Sequence, residues 1–233
     1  MACVDGDLNY AWNIDGRSAS DVFAFSAGGA TTKGTFLLHF DGHTWSRSAF
    51  GFLCALSDIW PSPESPTVFG VGTCHDRPGF VRTDGATGVS GELPAFARAL
   101  WGISASMIVA VGNGILRYDG TTWTQDTSPT TVGLNAVHGS AANDIFAVGG
   151  NGTILHFDGN AWTQQLSGTS AALTSVFEIA PKDVYVVGAQ STILHYDGTS
   201  WKSLQSGFPI HFRRVWAIGP KDVVAIGDPI PTP

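Results

Sequence analysis

Residues 144–162 read Asp-Ile-Phe-Ala-Val-Gly-Gly-Asn-Gly-Thr-Ile-Leu-His-Phe-Asp-Gly-Asn-Ala-Trp, and residues 183–201 read Asp-Val-Tyr-Val-Val-Gly-Ala-Gln-Ser-Thr-Ile-Leu-His-Tyr-Asp-Gly-Thr-Ser-Trp. The second copy follows the first at an offset of 39 residues. A period of about 40 residues is typical of repeat proteins, and the blades of β-propellers fall in this range. The repeat therefore says more about the fold than any single residue does.

Weaker copies of this repeat extend over most of the chain. Asp-Gly pairs occur at Asp41, Asp84, Asp119, Asp158 and Asp197, and a Trp follows four of them at Trp45, Trp123, Trp162 and Trp201. Each unit begins with an apolar strand centred on an aromatic residue or His, at Trp12, Trp60, Trp101, His138, Phe177 and Trp216. We predict units at about 11–52, 53–98, 99–132, 133–171 and 172–212, with a partial unit at 213–228.

Within one unit the pattern predicts four short antiparallel strands. The second and third strands are rich in β-branched and aromatic residues on consecutive positions, which indicates that both of their faces are covered. Asp158-Gly159 predicts a two-residue hairpin with positive φ angles before the fourth strand. We therefore predict one all-β domain over residues 1–233, a β-propeller with six blade positions and an incomplete sixth blade; five blades is the alternative.

The composition agrees with a globular β protein and indicates which classes of partner are not expected. The 233 residues are 43% hydrophobic and include 29 Gly, and the formal net charge is −7. Lys and Arg form no cluster that could follow a phosphate backbone, so we do not expect a nucleic-acid partner. No segment approaches the roughly 20 apolar residues that span a bilayer, so we expect no membrane span.

The repeat resembles those of secreted or surface β-propeller proteins of bacteria, and more loosely the Kelch and Asp-box repeats. The resemblance rests on the pattern Asp-[Val/Ile]-[Phe/Tyr]-x-Val-Gly followed by Gly-Thr-Ile-Leu-His-[Phe/Tyr]-Asp-Gly-x-x-Trp, and it covers about residues 11–227. The Ser-x-Asp-x-Gly spacing of the Asp-box is absent at Asp158-Gly159, so sialidase chemistry is not implied. The resemblance implies an extracytoplasmic recognition module, secreted, periplasmic or at the cell surface.

The three cysteines leave alternatives open. Cys54 and Cys74 lie in connections that we expect at the same face of the second unit, where they form either a disulfide or two separate buried thiols. A disulfide would favour an oxidising compartment. Cys3 is either an ordinary thiol near the terminus or the acylated residue of a lipoprotein anchor.

Most repeated polar residues are predicted to support the fold. His39, His156 and His195, with Arg82 and Arg117 at equivalent places, are expected to link the third strand to a neighbouring strand or blade. Asp21, Asp144, Asp183 and Asp222 are expected to accept backbone N–H groups of the preceding turn. The repeated Trp residues are expected to pack between blades; stacking on sugar rings is the alternative.

Departures from the repeat indicate where binding occurs, because loops on a rigid scaffold carry function. The first unit has a long connection from Ser26 to Gly34, and the second has the insertion Pro61 to Pro66. We expect the longer loops on one face and place the recognition site there. The candidate binding residues are Trp60, His75, Asp76, Arg77, Trp101, His138 and Trp216.

Metal and catalytic sites have little support. Asp5-Gly-Asp-Leu-Asn9 begins like a calcium loop but lacks its later Gly and Glu, so we predict no metal and no cofactor. A glycosidase needs two opposed carboxylates, and Asp58, Glu178 and Asp228 are the acids near the inner strand ends. Their spacing selects no pair, and we predict no catalytic residue.

The sequence thus predicts a non-enzymatic extracytoplasmic module that binds a glycan or a protein through one loop face. One alternative is a glycan-processing enzyme with carboxylates at the mouth of the propeller channel. Another is a structural domain of a larger surface protein.

Overall fold

The computed structural model describes residues 10–27, 35–49, 54–219 and 222–230. These residues form five four-stranded antiparallel sheets and one two-stranded sheet, here called sheets 1 to 6 in chain order. Each strand pairs with its neighbours in sequence, so every sheet is a simple meander. The predictions of an all-β chain and of four strands per repeat are confirmed, and the sheet count fits five or six blades.

The chain divides into two compact units, residues 1–110 with 116–124 and residues 111–115 with 125–233. Sheets 1 and 2 belong to the first unit, and sheets 4, 5 and 6 belong to the second. Sheet 3 contributes residues to both units.

The first three sheets contain twelve strands. Sheet 1 comprises β1 (Tyr10–Ser18), β2 (Asp21–Ala27), β3 (Thr35–Phe40) and β4 (Trp45–Ala49). Sheet 2 comprises β5 (Cys54–Pro61), β6 (Val68–Cys74), β7 (Arg77–Thr83) and β8 (Gly88–Glu92). Sheet 3 comprises β9 (Ala97–Ser104), β10 (Met107–Gly112), β11 (Gly114–Tyr118) and β12 (Trp123–Asp126).

The remaining sheets contain ten strands. Sheet 4 comprises β13 (Leu134–Ala141), β14 (Asp144–Gly149), β15 (Ile154–Phe157) and β16 (Trp162–Gln165), with a 3₁₀ turn at Gly150–Gly152. Sheet 5 comprises β17 (Leu173–Ala180), β18 (Asp183–Gly188), β19 (Ile193–Tyr196) and β20 (Trp201–Leu204). Sheet 6 comprises β21 (Ile210–Gly219) and β22 (Asp222–Pro229).

The second strand of each regular sheet is its most buried element. In β14, the side chains from Ile145 to Val148 are at most 1% exposed, whereas the outer strand β16 is mostly exposed beyond Trp162. Consecutive apolar residues are therefore buried on both faces of the sheet, as the sequence pattern predicted. The core of each unit lies between neighbouring sheets. Phe69 of sheet 2 packs with Leu116 and Tyr118 of sheet 3, and Phe146 of sheet 4 packs with Val184 of sheet 5.

Irregular pairing in the first strands corrects one sequence alignment. In β1 the register shifts between Ala11 and Asn13, and Asp15 pairs with Phe23 just as His138 of β13 pairs with Phe146. Asp15 therefore occupies the place that the sequence assigned to Trp12. Trp12 lies at the register shift, and the same shift occurs in β13 between Leu134 and Ala136, so Trp12 corresponds to Asn135 and not to His138.

The Asp-Gly turns also differ from the prediction. Phe157 pairs with Trp162, so the loop between β15 and β16 has four residues, not two. Only the Gly of the Asp-Gly pair has a positive φ, +95° at Gly159. The carboxylate of Asp158 accepts the backbone N–H groups of Asn160 and Ala161 at 2.9 Å, and these bonds stabilise the longer loop.

Candidate functional site

Three sheets contain the same Asp–His pair. Nε2 of the His on the third strand lies 2.7 Å from Oδ1 of the Asp that begins the second strand, and the pairs are His39–Asp21, His156–Asp144 and His195–Asp183. Each imidazole also stacks on the aromatic ring of the paired residue, with ring centroids 4.4 to 4.5 Å apart, on Phe23, Phe146 and Tyr185.

These pairs confirm that the repeated His residues link neighbouring strands, but they correct the role of the Asp residues. Among the described residues, each of these Asp carboxylates bonds to the His of its own sheet and to no backbone N–H of the preceding turn, and Asp21 also pairs with Arg17 at 2.9 Å. The sequence contains a signal for this pairing. Sheets 2 and 3 have Thr67 and Met107 in place of the Asp, and they have Arg82 and Arg117 in place of the His.

The repeated Trp residues connect successive sheets. Trp162 Nε1 donates to Asp126 Oδ2 at 3.2 Å, and Trp201 Nε1 donates to Gln165 Oε1 at 2.7 Å. Both acceptors end the fourth strand of the preceding sheet. The Nε1 atom of Trp123 is buried and has no partner among the described residues, because the corresponding residue of β8 is Gly91, which pairs with Phe80 and has no side chain. Packing of these indoles between sheets, as predicted, is thus confirmed for Trp162 and Trp201.

The predicted binding residues near the ends of the first strands differ in exposure. Trp60 is 8% exposed and Trp101 is 9% exposed, whereas Trp216 is 50% exposed. His138 is partly buried, stacks on Phe177 with the ring centroids 4.4 Å apart, and accepts the Glu178 N–H on Nδ1 at 3.1 Å. Burial lowers the pKa of His138 to about 4. The binding role of these side chains stays a prediction.

Of the three acids considered for a catalytic alternative, Asp58 and Glu178 are buried and lie in different sheets, whereas Asp228 is exposed. Asp58 Oδ1 accepts from Asn13 Nδ2 at 2.7 Å, and Oδ2 accepts the backbone N–H of Leu100 at 3.0 Å. This carboxylate therefore joins sheet 2 to sheets 1 and 3. Asp228 is exposed and forms an ion pair with Arg213 at 2.6 Å.

Glu178 lies in a small polar cluster between sheets 4 and 5. Its Oε1 accepts from Ser140 Oγ at 2.9 Å, and the same hydroxyl lies 3.4 Å from Asp144 Oδ2. Oε2 is buried and has no hydrogen-bond partner in the part of the chain that the structure describes. Burial, and then the nearby charge of Asp144, raise the pKa of Glu178 to about 8. A protonated Glu178 is the state that fits this site, because its carboxylate form would be buried and would lie near the charge of Asp144.

One end of sheet 2 presents exposed polar side chains on a disulfide-linked frame. Cys54 and Cys74 are paired residues of β5 and β6, and their sulfur atoms are bonded at 2.07 Å. The next two residues, His75 and Asp76, form an exposed turn with φ of +51° and +63°. Arg77 follows and contacts Glu92 of β8 at 2.8 Å, and both side chains are about 70% exposed.

An open depression of about 490 Å³ lies at this end of sheet 2. It is lined by Cys74, His75, Arg77, Ser90, Gly91 and Glu92. We call these six residues the disulfide edge. Charged groups of both signs and a His surround the depression, and a cross-linked backbone positions them. Such an arrangement suits recognition of a polar ligand.

The structure separates residues that the sequence analysis placed together. Trp60 and the insertion Pro61 to Pro66 lie at the β5–β6 end of sheet 2, whereas the His75 turn joins β6 to β7 at the opposite end. The insertion and the His75 turn therefore do not share a face. The long connection of the first unit falls largely on residues 28–34, which lie outside the described residues, as do Cys3 and the calcium-like segment Asp5 to Asn9.

A second depression, of about 470 Å³, lies between the outer strands of sheets 4 and 5. Its lining includes Tyr196, Trp201, Thr199, Ser200 and Leu166, the last of which is 91% exposed. We call it the Trp201 depression. Sequence analysis singled out Trp201 but missed this site, because the lining comes from two successive repeats.

Across the described ranges, no three His, Cys, Asp or Glu side chains come together as metal ligands. None of the described segments forms a helix with the length and hydropathy needed to cross a bilayer.

Comparison with known proteins supports the fold. No family model and no curated protein matches the sequence. The structure of YCF48 bound to D1 peptide is 16% identical, covers 93% of this chain and 74% of its own, and has a TM-score of 0.67. U3-55K is 7% identical over 97% of this chain and 76% of its own, with a TM-score of 0.74. The structure of the RRP9 WD40 repeats is 7% identical, covers 97% of this chain and 75% of its own, and has a TM-score of 0.75.

At these identities the similarity concerns the fold alone. WD40 repeats form four-stranded propeller blades. The predicted β-propeller fold is confirmed.

Proposed function

We propose that this chain is a non-enzymatic extracytoplasmic binding module that recognises a protein segment at the disulfide edge. The observation that carries this proposal is the exposed His75, Asp76 and Arg77 sequence on a cross-linked frame beside an open depression. The Asp–His pairs of the regular sheets are partly buried, whereas both side chains of the Arg77–Glu92 pair are about 70% exposed.

The charges of the disulfide edge indicate the kind of segment it binds. Arg77 and Glu92 pair with each other at the surface, and exposed ion pairs of this kind contribute little to stability. Breaking this ion pair, so that Arg77 and Glu92 bind the acidic and basic groups of a ligand instead, therefore costs little free energy. We propose a polar peptide segment that carries an acidic side chain for Arg77. The peptide in the YCF48 structure, which has the same fold, supports a peptide ligand.

The extracytoplasmic location rests on the disulfide. Structural disulfides persist in oxidising compartments and are rare in the cytosol. The Cys54–Cys74 bond is buried at both sulfur-bearing residues, which are 6% and 7% exposed. Detection of an oxidised Cys54–Cys74 pair by mass spectrometry of the protein isolated from its natural host would support this location. A fully reduced pair would count against it.

A peptide array tests the binding proposal directly. The full chain is compared with the double variant His75→Ala/Arg77→Ala and with Gln164→Ala, an exposed residue of the regular strand β16. We expect acidic peptides bound by the wild type to lose at least about tenfold in affinity in the double variant and to be unaffected by Gln164→Ala. Equal binding by all three proteins would refute the proposal.

A glycan is the second candidate ligand, and the Trp201 depression favours it. An indole and a phenol lie beside the hydroxyl groups of Thr199 and Ser200, and sugar rings bind to such mixed surfaces through stacking and hydrogen bonds. On a glycan array, binding that Trp201→Ala abolishes and His75→Ala/Arg77→Ala leaves unchanged would establish this alternative. A Trp162→Ala variant controls for loss of inter-sheet packing.

Catalysis by Asp58 or Glu178 is not part of the proposal. The carboxylate of Asp58 is engaged by Asn13 and Leu100, and Glu178 is 4% exposed. We expect no hydrolysis of glycans bound on the array. Turnover that disappears in Asp58→Asn or Glu178→Gln would overturn the non-enzymatic part of the proposal.

A further inference from the structure

Sheet 6 has two described strands where the other sheets have four. Its second strand, β22, begins Asp222-Val-Val-Ala-Ile-Gly and matches Asp183-Val-Tyr-Val-Val-Gly of β18. The pairing with the first strand is also the same. Trp216 lies opposite Val224 as Phe177 lies opposite Tyr185, and the strands shift register at corresponding places. β22 is therefore a regular second strand, and among the described residues it pairs on one side only.

The Asp–His pairs indicate what belongs on the other side of β22. In sheets 1, 4 and 5, the Asp that begins the second strand bonds to a His of the third strand at 2.7 Å. Where the Asp is replaced, in sheets 2 and 3, the His is replaced as well. Sheet 6 retains the Asp as Asp222. Its side chain is exposed and has no hydrogen bond or ion pair with the described residues.

Two apolar side chains of sheet 6 are also more exposed to solvent than their equivalents in other sheets. Ile226 is 59% exposed, whereas its equivalent in sheet 5, Val187, is fully buried. Trp216 is 50% exposed, whereas Trp60 and Trp101 at equivalent places are below 10%. An exposed strand edge beside uncovered apolar side chains is a surface suited to strand addition.

We infer that the edge of β22 that pairs with no described strand is a docking surface for an extended segment of the repeat's own third-strand type, Ile-Leu-His followed by Phe or Tyr. The pairing of β18 with β19 sets the register: the His lies opposite Val224, the Leu opposite Ala225 and the Ile opposite Ile226. The imidazole of the incoming His then reaches the carboxylate of Asp222, with which it is chemically complementary. This inference is independent of the proposed function, because it concerns another sheet and another kind of partner.

The test uses a fluorescein-labelled synthetic peptide with the sequence of residues 191–204, which contains the third and fourth strands of sheet 5. Binding to the full chain is followed by fluorescence anisotropy. We expect saturable binding, weakened about tenfold by a His195→Ala change in the peptide or by Asp222→Ala in the protein. The two changes together should weaken binding no further, because they remove the same contact. Asp228→Ala, which removes an equal charge from the same strand, is the matched control.

Amide hydrogen exchange locates the bound peptide. Protection of the backbone N–H groups of β22 on peptide addition supports the inference. No binding, or protection confined to sheets 4 and 5 through displacement of their own strands, overturns it. Self-association of the chain that protects β22 without peptide would identify a second copy as the occupant and would equally overturn it.

Discussion

At the scale of single residues, equivalent positions of different repeats differ in whether the side chain forms a hydrogen bond. Trp201 and Trp123 occupy equivalent places at the start of a fourth strand. Trp201 Nε1 donates to Gln165, whereas Trp123 Nε1 is buried and no described residue accepts from it. The missing partner results from Gly91 in the irregular second repeat.

We predict that Trp201→Phe destabilises the protein by about 1 kcal/mol more than Trp123→Phe does. Both changes remove similar indole volume, but only the first breaks a hydrogen bond, and the second removes an unsatisfied N–H. Urea unfolding of the two variants measures the difference. Equal losses, or a larger loss for Trp123→Phe, would contradict the assignment of these contacts.

Glu178 predicts a pH dependence of stability. Its pKa is raised from 4.5 to about 8 in the folded protein, chiefly by burial. Between these values the unfolded chain releases a proton that the folded chain keeps, so this residue lowers the free energy of unfolding as pH rises from about 4.5 to 8. His138, with its pKa lowered from 6.5 to about 4 by burial, destabilises the protein as pH falls through that range.

The variant Glu178→Gln separates these two effects. It lacks the carboxyl titration but keeps His138, so its stability relative to the wild type should rise steadily from pH 5 to pH 8 and then level off. Unfolding curves at closely spaced pH values provide the measurement. If the two proteins keep a constant difference across this range, Glu178 does not carry the raised pKa.

At the scale of elements, the four-residue turns between third and fourth strands contact the turn between first and second strands. A Cβ at Gly159 would lie 2.7 Å from the Cβ of Asn143. Gly85, in the same turn of the irregular sheet 2, has the similar φ of +91° but no atom within 4 Å of such a Cβ. A side chain added at Gly85 would therefore meet only backbone strain, whereas one added at Gly159 would meet the same strain and a close contact with Asn143.

We expect Gly85→Ala to cost about 1 kcal/mol from the left-handed backbone. Gly159→Ala should cost at least about 1 kcal/mol more, because the added methyl group displaces the turn from Asn143. Thermal unfolding of the two variants measures the two losses of stability. A larger loss for Gly85→Ala would show that the two turns do not pack as described.

The elements also show how far the sequence predicts the structure. The 39-residue offset and the apolar second and third strands correctly predict four strands per repeat. Trp12 was wrongly aligned because β1 has an acid, Asp15, at the place where the other first strands have an aromatic residue or His, and its Trp lies three positions earlier at the register shift. The Asp–His pairs were predictable from the joint replacement by Thr67 and Arg82 in sheet 2. The depressions were not, because residues distant in sequence line them.

At the scale of the whole molecule, the Cys54–Cys74 bond in the irregular second repeat stabilises the folded chain. A disulfide that closes a loop of about 20 residues stabilises a protein by about 3 kcal/mol, mainly by restricting the unfolded chain. We predict a loss of that size in Cys54→Ala/Cys74→Ala, measured by urea unfolding. Addition of reductant should lower wild-type stability toward that of the variant and leave the variant unchanged. A variant as stable as the wild type would argue against the bond.

The disulfide also connects stability with the proposed function. It holds the ends of β5 and β6 beside His75 and Arg77, so its loss should weaken ligand binding at the disulfide edge more than binding at the Trp201 depression. Fold similarity alone does not identify a ligand, because propellers serve many functions. The choice between sites therefore depends on the local arrangement of charge and exposure.

Amide hydrogen exchange of the full chain, with and without the tightest-binding acidic peptide from the array, tests the central claim most directly. The account predicts that protection on binding is concentrated in residues 74–77 and in β8, the strands and turn that surround the depression of the disulfide edge. Protection confined to the Trp201 depression, or to the ends of the first strands at Trp60, Trp101 and His138, would contradict it.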